Sequence, residues 1–406
     1  MSRIDDRKIH VGIIYPSDPL GSIPGGIETF IRGIIGWAPE DIHFTVIGIT
    51  TDRKARPVGK WTKCRQGRNA FDFLPLYAMD EPGRRPKIPA TARYTALLFS
   101  KARKLRFDVL DSHRIEPFLP YLFDDTPKNM FLHQNMEVIS GKSSDIRWKH
   151  FPWLYYKIES GLLHRLSSIY VVREDAVQAY KNRYPDMQES FSFIPTWMDP
   201  DIFFPVSSVV ERTEIRRELL QLYGIAEDEL LITYVGRFDT QKDPILLIDS
   251  FYRLVQLGDK KHLLMVGDGV LRKEVKARIK HLGLQDKVTL AGLLSPLKVA
   301  RFLKVSDMFA LSSVYEGMPI SVLEALGCGV PVVSTNVGEI GRLVKPGVNG
   351  EIAASRDIDE FVRAMTVCIN NLPEYTGAPC VQVAMEFVPE KVLGRVYENY
   401  RRLAGK

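Results

Sequence analysis

The second half of the chain sets charged side chains at the ends of apolar runs. After LLITYV (230–235) comes GRFDTQKDP, so Gly236, Arg237 and Lys242 leave a predicted strand together. Glycine lets the backbone approach a ligand closely, and two cations there could hold phosphate oxygens. A structural salt bridge would use the same residue types. A second unit reads DMFALSS, SVYEGM and PISVLEAL (307–326). It predicts a strand, a turn, and a helix with Pro319 at its first position and Gly327 and Gly329 closing it. The amides of Gly317, Met318 and the first turn would then be unpaired, and with the helix dipole they make an anion site. Glu316 lies in the loop before the helix and Glu324 more than one turn inside it. Carboxylates beside phosphates can accept hydrogen bonds from sugar or ribose hydroxyls, although Glu324 could equally be a solvated helix residue.

In the first half, SIPGGIETFIRGI follows the first apolar run, and the Gly25-Gly26 amides could touch a diphosphate. A bare glycine pair is weak evidence. His113 closes FDVLDSH and His133 closes NMFLHQN. A lone histidine is more often structural, but two at successive strand ends favour a functional role for at least one. No GxGxxG follows the first run, and neither GxxxxGK[ST] nor GxSxG occurs. A dinucleotide oxidoreductase, a P-loop NTPase and the usual hydrolase elbow are thereby disfavoured. The Asp pair of DPD (199–201) lies among prolines and reads as turn chemistry rather than a metal site.

These residues need a scaffold. A chain of 406 residues exceeds one ordinary core, so two domains are expected. Runs such as HVGIIYP, HFTVIGIT and SSIYVV, then HLLMVGDG, KVTLAGLL and VPVVSTN, are apolar throughout, as strands buried on both faces of a parallel sheet are. Helical patterns such as DPILLIDSFYRLVQLG lie between them, which predicts doubly wound α/β units. IPTWMDPDIFFP (194–205) holds three prolines and reads as the linker. The expected domains are 1–200 and 201–385, followed by a helix over 386–406. That helix would carry Val392, Val396, Tyr400 and Leu403 on one face. Ligands of open parallel sheets sit beyond the strand carboxyl ends, so a cleft between the two domains is expected.

The balance of 45% hydrophobic and 26% charged residues suits a folded, soluble protein. No apolar run approaches the ~20 residues that span a bilayer, and four scattered cysteines fit a reducing cytoplasm. The net charge of +6 is uneven. Residues 52–106 hold fifteen Lys/Arg against four Asp/Glu, or +11, leaving −5 elsewhere. RKAR (53–56), KCRQGR (63–68), GRRPK (83–87) and KARKLR (101–106) form either a solvated face or a surface for anionic lipid or an acidic acceptor. No nucleic-acid motif accompanies them, so no nucleic-acid partner is expected.

With GRFDTQK (236–242), VGDG (266–269) and EGMPISVLE (316–324) in this order, the second half resembles the retaining GT-B glycosyltransferases of family 4. The first half resembles them more thinly, through GGIE (25–28), His113, His133 and IPTWMD. The chain reads IPTWMD where the family reads IPNGVD, VGEIGR (337–342) where it tends to GGxPE, and Val270 where it often has proline.

The resemblance implies two Rossmann-like domains facing a cleft. The second would grip a nucleotide diphosphate sugar, the first an acceptor, and the terminal helix would cross back to the first. Arg237 and Lys242 would neutralise the diphosphate without a metal or other cofactor. Glu316 would hold donor sugar hydroxyls and Glu324 the ribose. The Gly317 and Met318 amides and Gly26 would complete the cradle, and His133 would lie near the transferred sugar. The resemblance also implies retention of configuration. A carbohydrate or lipid-linked acceptor, on the cytoplasmic side of a membrane, suits the basic segment. A nucleotide-sugar epimerase, which needs no acceptor, or a non-catalytic nucleotide-sugar-binding subunit would use the same motifs.

Overall fold

The computed structural model describes residues 8–21, 26–79, 90–101, 105–133 and 159–405. The chain divides into two units, Met1–Pro195 with Pro389–Lys406, and Thr196–Val388. The break falls inside IPTWMD rather than after it, and the terminal segment joins the first unit from Pro389 rather than from residue 386.

Among the described residues, the first unit is built on eight strands. In chain order they are β1 (Ile9–Ile14), β2 (Ile42–Thr50), β3 (Thr62–Gln66), β4 (Asn69–Ala78), β5 (Val109–Ser112), β6 (Lys128–Leu132), β7 (Ser168–Val171) and β8 (Phe191–Phe193). Their spatial order is β3-β4-β2-β1-β5-β6-β7-β8. All neighbours are parallel except β3, which pairs antiparallel with β4 at the edge. The apolar runs did not announce this hairpin, because β3 buries only Cys64. Its exposed Lys63 and Arg65 come from the KCRQGR cluster and line an outer edge, where charge discourages pairing with another chain.

Pro389–Leu403 is a single helix of the first unit. Val392, Leu393, Val396, Tyr397 and Tyr400 are buried, while Leu403 is only half-buried because the buried stripe ends at Tyr400. Each fully buried side chain of that size contributes about 1.5–3 kcal/mol. The helix is also tied by polar contacts. The Tyr397 hydroxyl donates to the Ile34 carbonyl at 2.8 Å, Tyr400 donates to buried Asp111 on β5, and Arg401 holds Asp41 through two nitrogens at 2.7 and 2.9 Å.

The second unit has six parallel strands: β9 (Leu230–Val235), β10 (Lys261–Val266), β11 (Val288–Gly292), β12 (Met308–Leu311), β13 (Val332–Thr335) and β14 (Gly350–Ala353). Their order is β11-β10-β9-β12-β13-β14. This crossover puts the carboxyl end of β9 beside that of β12, so residues far apart in sequence become neighbours. Leu247, Ile248 and Phe251 of the helix Pro244–Gln256 pack with Ile232, Tyr234 and Met265 of the sheet in one core.

Candidate active site

The glycine-arginine turn after β9 is held from three sides. The Tyr234 hydroxyl donates to the Arg237 carbonyl at 2.9 Å, and the Gly236 N–H donates to the Val266 carbonyl at 3.0 Å. Gly267, with φ 142°, lies so close that a Cβ there would sit 1.9 Å from the Gly236 carbonyl oxygen. The GDG stretch is therefore a backbone seat for the turn. Farther along, Ser312 Oγ donates to the carbonyls of Lys242 and Asp243 at 3.1 and 2.7 Å, binding the loop to the end of β12. Asp243 adopts left-handed φ of 41°, and its carboxylate caps the following helix by accepting the Leu246 N–H at 3.2 Å.

This architecture brings Lys242 onto Glu316. The ammonium lies 2.5 Å from Glu316 Oε1, and the two side chains are only 15% and 7% exposed. Ser313 Oγ donates to the same oxygen at 2.6 Å. Oε2 has no partner among the described residues and is the oxygen open to a ligand hydroxyl. Arg237 contrasts with this pair. Its side chain is 69% exposed and rests against Asp239 at 3.2 Å, so it can swing to an anion at little cost.

The helix after the EGM turn runs from Ile320 to Gly327. Pro319 is not its first residue, as the sequence suggested, but the cap before it. Its ψ of 113° is extended, and its carbonyl accepts the Val322 and Leu323 amides at 3.1 and 3.4 Å. The amides of Gly317, Met318, Ile320 and Ser321 donate to no protein acceptor among the described residues. Gly338, with φ 52°, packs where a Cβ would meet the Glu316 and Gly317 carbonyls at 2.3 Å, and the Glu339 N–H donates to the Gly317 carbonyl at 2.9 Å. The VGEIGR segment thus buttresses the turn through its backbone. Glu324 is half-buried, its carboxyl has no hydrogen-bond partner among the described residues, and burial pushes that carboxyl up to about 7.

In the first unit, His113 and His133 follow neighbouring parallel strands β5 and β6. His113 Nδ1 lies 2.8 Å from His133 Nε2. The His113 ring stacks on Phe131, with centroids 5.0 Å apart, and Tyr15 and Phe30 meet it edge-on at 5.7 Å. Burial holds His133 down to about 3 and His113 well below its ordinary value, so both imidazoles are neutral. Gly26 opens the helix Gly26–Gly36 with open space around it, whereas Gly25 lies outside the described residues.

The basic segment divides by role. Arg56 is drawn in to Asp18 at 2.9 Å, and Arg93 lies over the Tyr77 ring at 4.2 Å. Arg53, Lys54, Lys60, Lys63, Arg65, Lys101 and Arg106 are exposed. GRRPK, and residues 102–104 of KARKLR, lie outside the described residues. No helix among the described residues is long and apolar enough to cross a membrane. Sequence reasoning missed Ser312, Ser313 and Tyr234. The only signal was a pair of small hydroxyl residues at a strand end and a tyrosine just before the turn.

Two doubly wound α/β units of this kind define the GT-B class. Sucrose-phosphate synthase from Thermosynechococcus elongatus shares the fold with a TM-score of 0.75 at 17% identity, covering 98% of this chain and 100% of that one. Anabaena HepE, solved in complex with UDP and glucose, does so with a TM-score of 0.68 at 17% identity, covering 96% and 98%. By sequence, residues 215–376 match the family described as glycosyl transferases group 1. UDP-Gal:alpha-D-GlcNAc-diphosphoundecaprenol alpha-1,3-galactosyltransferase of Escherichia coli is 29% identical over 47% of this chain and 48% of its own length. N-acetyl-alpha-D-glucosaminyl L-malate synthase of Bacillus anthracis is 32% identical over 39% and 41%. The chain thus spans less than half the length of these two relatives.

Proposed function

We propose that the protein moves a sugar from a nucleoside diphosphate sugar to a carbohydrate or lipid-linked acceptor with retention of anomeric configuration. The observation that carries this reading is the clasp of the second unit. Lys242, tethered to Glu316 at 2.5 Å, adjoins a turn whose Gly317 and Met318 amides have no protein acceptor among the described residues. Its parts all fall within the matched residues 215–376. Support also comes from the E. coli relative, whose name specifies a UDP-sugar and a diphosphoundecaprenol-linked acceptor, and from HepE, solved with UDP-glucose.

The bond between the anomeric carbon and the diphosphate breaks as the acceptor hydroxyl bonds to the same face, and the departing phosphate oxygen takes the hydroxyl proton. Charge gathers on that diphosphate. Arg237, Lys242 and the helix-entrance amides stabilise it as preorganised donors, and no metal ion is invoked in the step. Glu316 Oε2 accepts from donor sugar hydroxyls and Glu324 from the ribose. Gly236 and Gly26 permit close backbone approach, and His133 positions the sugar. The exposed Arg53, Lys54, Lys60, Lys63, Arg65, Lys101 and Arg106 suit an anionic membrane face, at ~1 kcal/mol per cation near the surface.

The test is incubation with UDP-, GDP- and ADP-sugars, following nucleotide release and the anomeric proton of any product by NMR. Release with retained configuration is the expected result. An epimerised nucleotide sugar formed without acceptor, or tight binding with no turnover, would contradict the reading. Vesicles with and without phosphatidylserine test the membrane face separately.

A further inference from the structure

The paired imidazoles of the first unit share a proton that the surrounding geometry locates. His113 Nδ1 and His133 Nε2 are 2.8 Å apart, so one of them donates. The other nitrogen of His113, Nε2, is buried and has no hydrogen-bond partner among the described residues. Suppose His133 donated. A neutral His113 would then carry its proton on Nε2, leaving a buried N–H with nothing to receive it. If His113 donates instead, the orphan is only a lone pair. An unpaired buried donor is the rarer defect, and an unmade hydrogen bond inside a protein leaves its desolvation cost uncompensated. Double protonation is excluded for both rings by the burial described above.

We infer that His113 is a positioning residue that donates its Nδ1 proton to His133, fixing His133 as the Nδ1–H tautomer, a hydrogen-bond donor to an oxygen of the bound sugar. The placement of the sugar rests on the function proposed above; the tautomer does not. The box supports the assignment. Phe131 stacks beneath His113, and Phe30 stands edge-on to both rings, at 5.7 Å from His113 and 5.1 Å from His133, which leaves the pair little room to exchange partners. His133 Nδ1 has no protein partner among the described residues, so its N–H is available to a ligand oxygen. A donor in that place cannot take a proton from the acceptor hydroxyl. This agrees with the departing phosphate filling that role.

Two measurements separate the parts. Histidine-selective 15N NMR of the full chain, with His133 assigned by its loss in His133→Gln, should show Nδ1 protonated and Nε2 unprotonated. The reverse pattern overturns the tautomer whatever the protein's activity. For the role, His113→Phe keeps an aromatic ring but cannot donate, whereas His113→Asn offers an N–H near the Nδ1 position. The Phe variant should lose ~10-fold or more in kcat, as loss of an orienting hydrogen bond typically does, with nucleoside diphosphate affinity unchanged. The Asn variant should recover most of that loss. Equal losses in two folded variants, or none in the Phe variant, would overturn the positioning role. A wild-type rate in His133→Ala with the tautomer confirmed would instead sink the sugar contact and leave the proton assignment standing.

Discussion

In the second unit the strand ends are charged and cross-linked. Lys242 and Glu316 meet at 2.5 Å, Ser313 braces the same carboxylate oxygen, and Arg237 stands exposed beside them. In the first unit, the corresponding strand ends hold two neutral imidazoles boxed by Tyr15, Phe30 and Phe131. Two parallel α/β sheets therefore carry strand ends of two chemical kinds. A loop set bearing cations and unpaired amides suits a diphosphate. An aromatic box, in which burial suppresses charge, suits a neutral hydroxyl-bearing ring. Fold alone would not have separated the two; the side chains at the strand ends do.

The most severe challenge to this contrast is Lys242→Ala, which should lower turnover about 10²–10³-fold, as removal of one transition-state donor does. It also leaves the buried Glu316 carboxylate without its cation. Lys242→Ala combined with Glu316→Gln should therefore melt higher than Lys242→Ala alone. A lower melting temperature for the double variant would show that the pair is not coupled.

Arg237→Ala is expected to act less strongly, because its guanidinium is exposed and held only by Asp239 and Gln241. A loss of roughly 10²-fold, shrinking as salt is added, is the expected outcome in steady-state assays. A salt-independent loss would argue for a structural role.

Glu324 sharpens the contrast through pH. Its carboxyl, raised to about 7, is mostly protonated below neutrality, while ribose hydroxyls favour the charged form. Nucleotide affinity should therefore weaken as pH falls below about 7, with proton release on binding. Calorimetry in buffers of different ionisation enthalpy measures that release, and Glu324→Gln should abolish it. His133 itself should add no pH dependence to turnover between pH 5 and 8, since it charges only at about 3.

The remaining expected effect is on stability rather than turnover. Asp111 is raised to about 8 by burial, even with Tyr400 donating to it. Between ~4, the ordinary carboxyl range, and 8, the folded state keeps a proton that the unfolded state has released. Stability therefore falls as pH rises through this window and levels off above it. Asp111→Asn should narrow the difference in melting temperature between pH 5 and pH 8, and an unchanged difference would refute the assignment.

The strands of both parallel sheets were legible because burial on two faces leaves a run apolar, and the turn residues because Arg237, Glu316 and the glycines follow such runs. The hairpin edge was not, since β3 buries one residue and otherwise reads as a charged loop. Nor was the bond between Lys242 and Glu316. They are 74 positions apart, and they meet only because β12 lies next to β9 in the sheet. Sequence order alone does not reveal that placement. The histidines were visible one by one, but their hydrogen bond depends on Phe30 and Phe131 fixing both rings. Pro319 was misplaced by one position because proline suits both a cap and a first turn, and only its extended ψ decides between them.

The central claim is that the second unit grips a diphosphate through Lys242 and the helix-entrance amides. Equilibrium titration of the wild-type protein and Lys242→Ala with UDP, GDP and ADP, each beside its parent nucleoside, tests it most directly. One nucleoside diphosphate should bind well and weaken about 10–100-fold in the variant, the worth of a hydrogen bond to a charged group, while its nucleoside binds both proteins alike. Equal affinity of wild type and variant for that nucleoside diphosphate would contradict it.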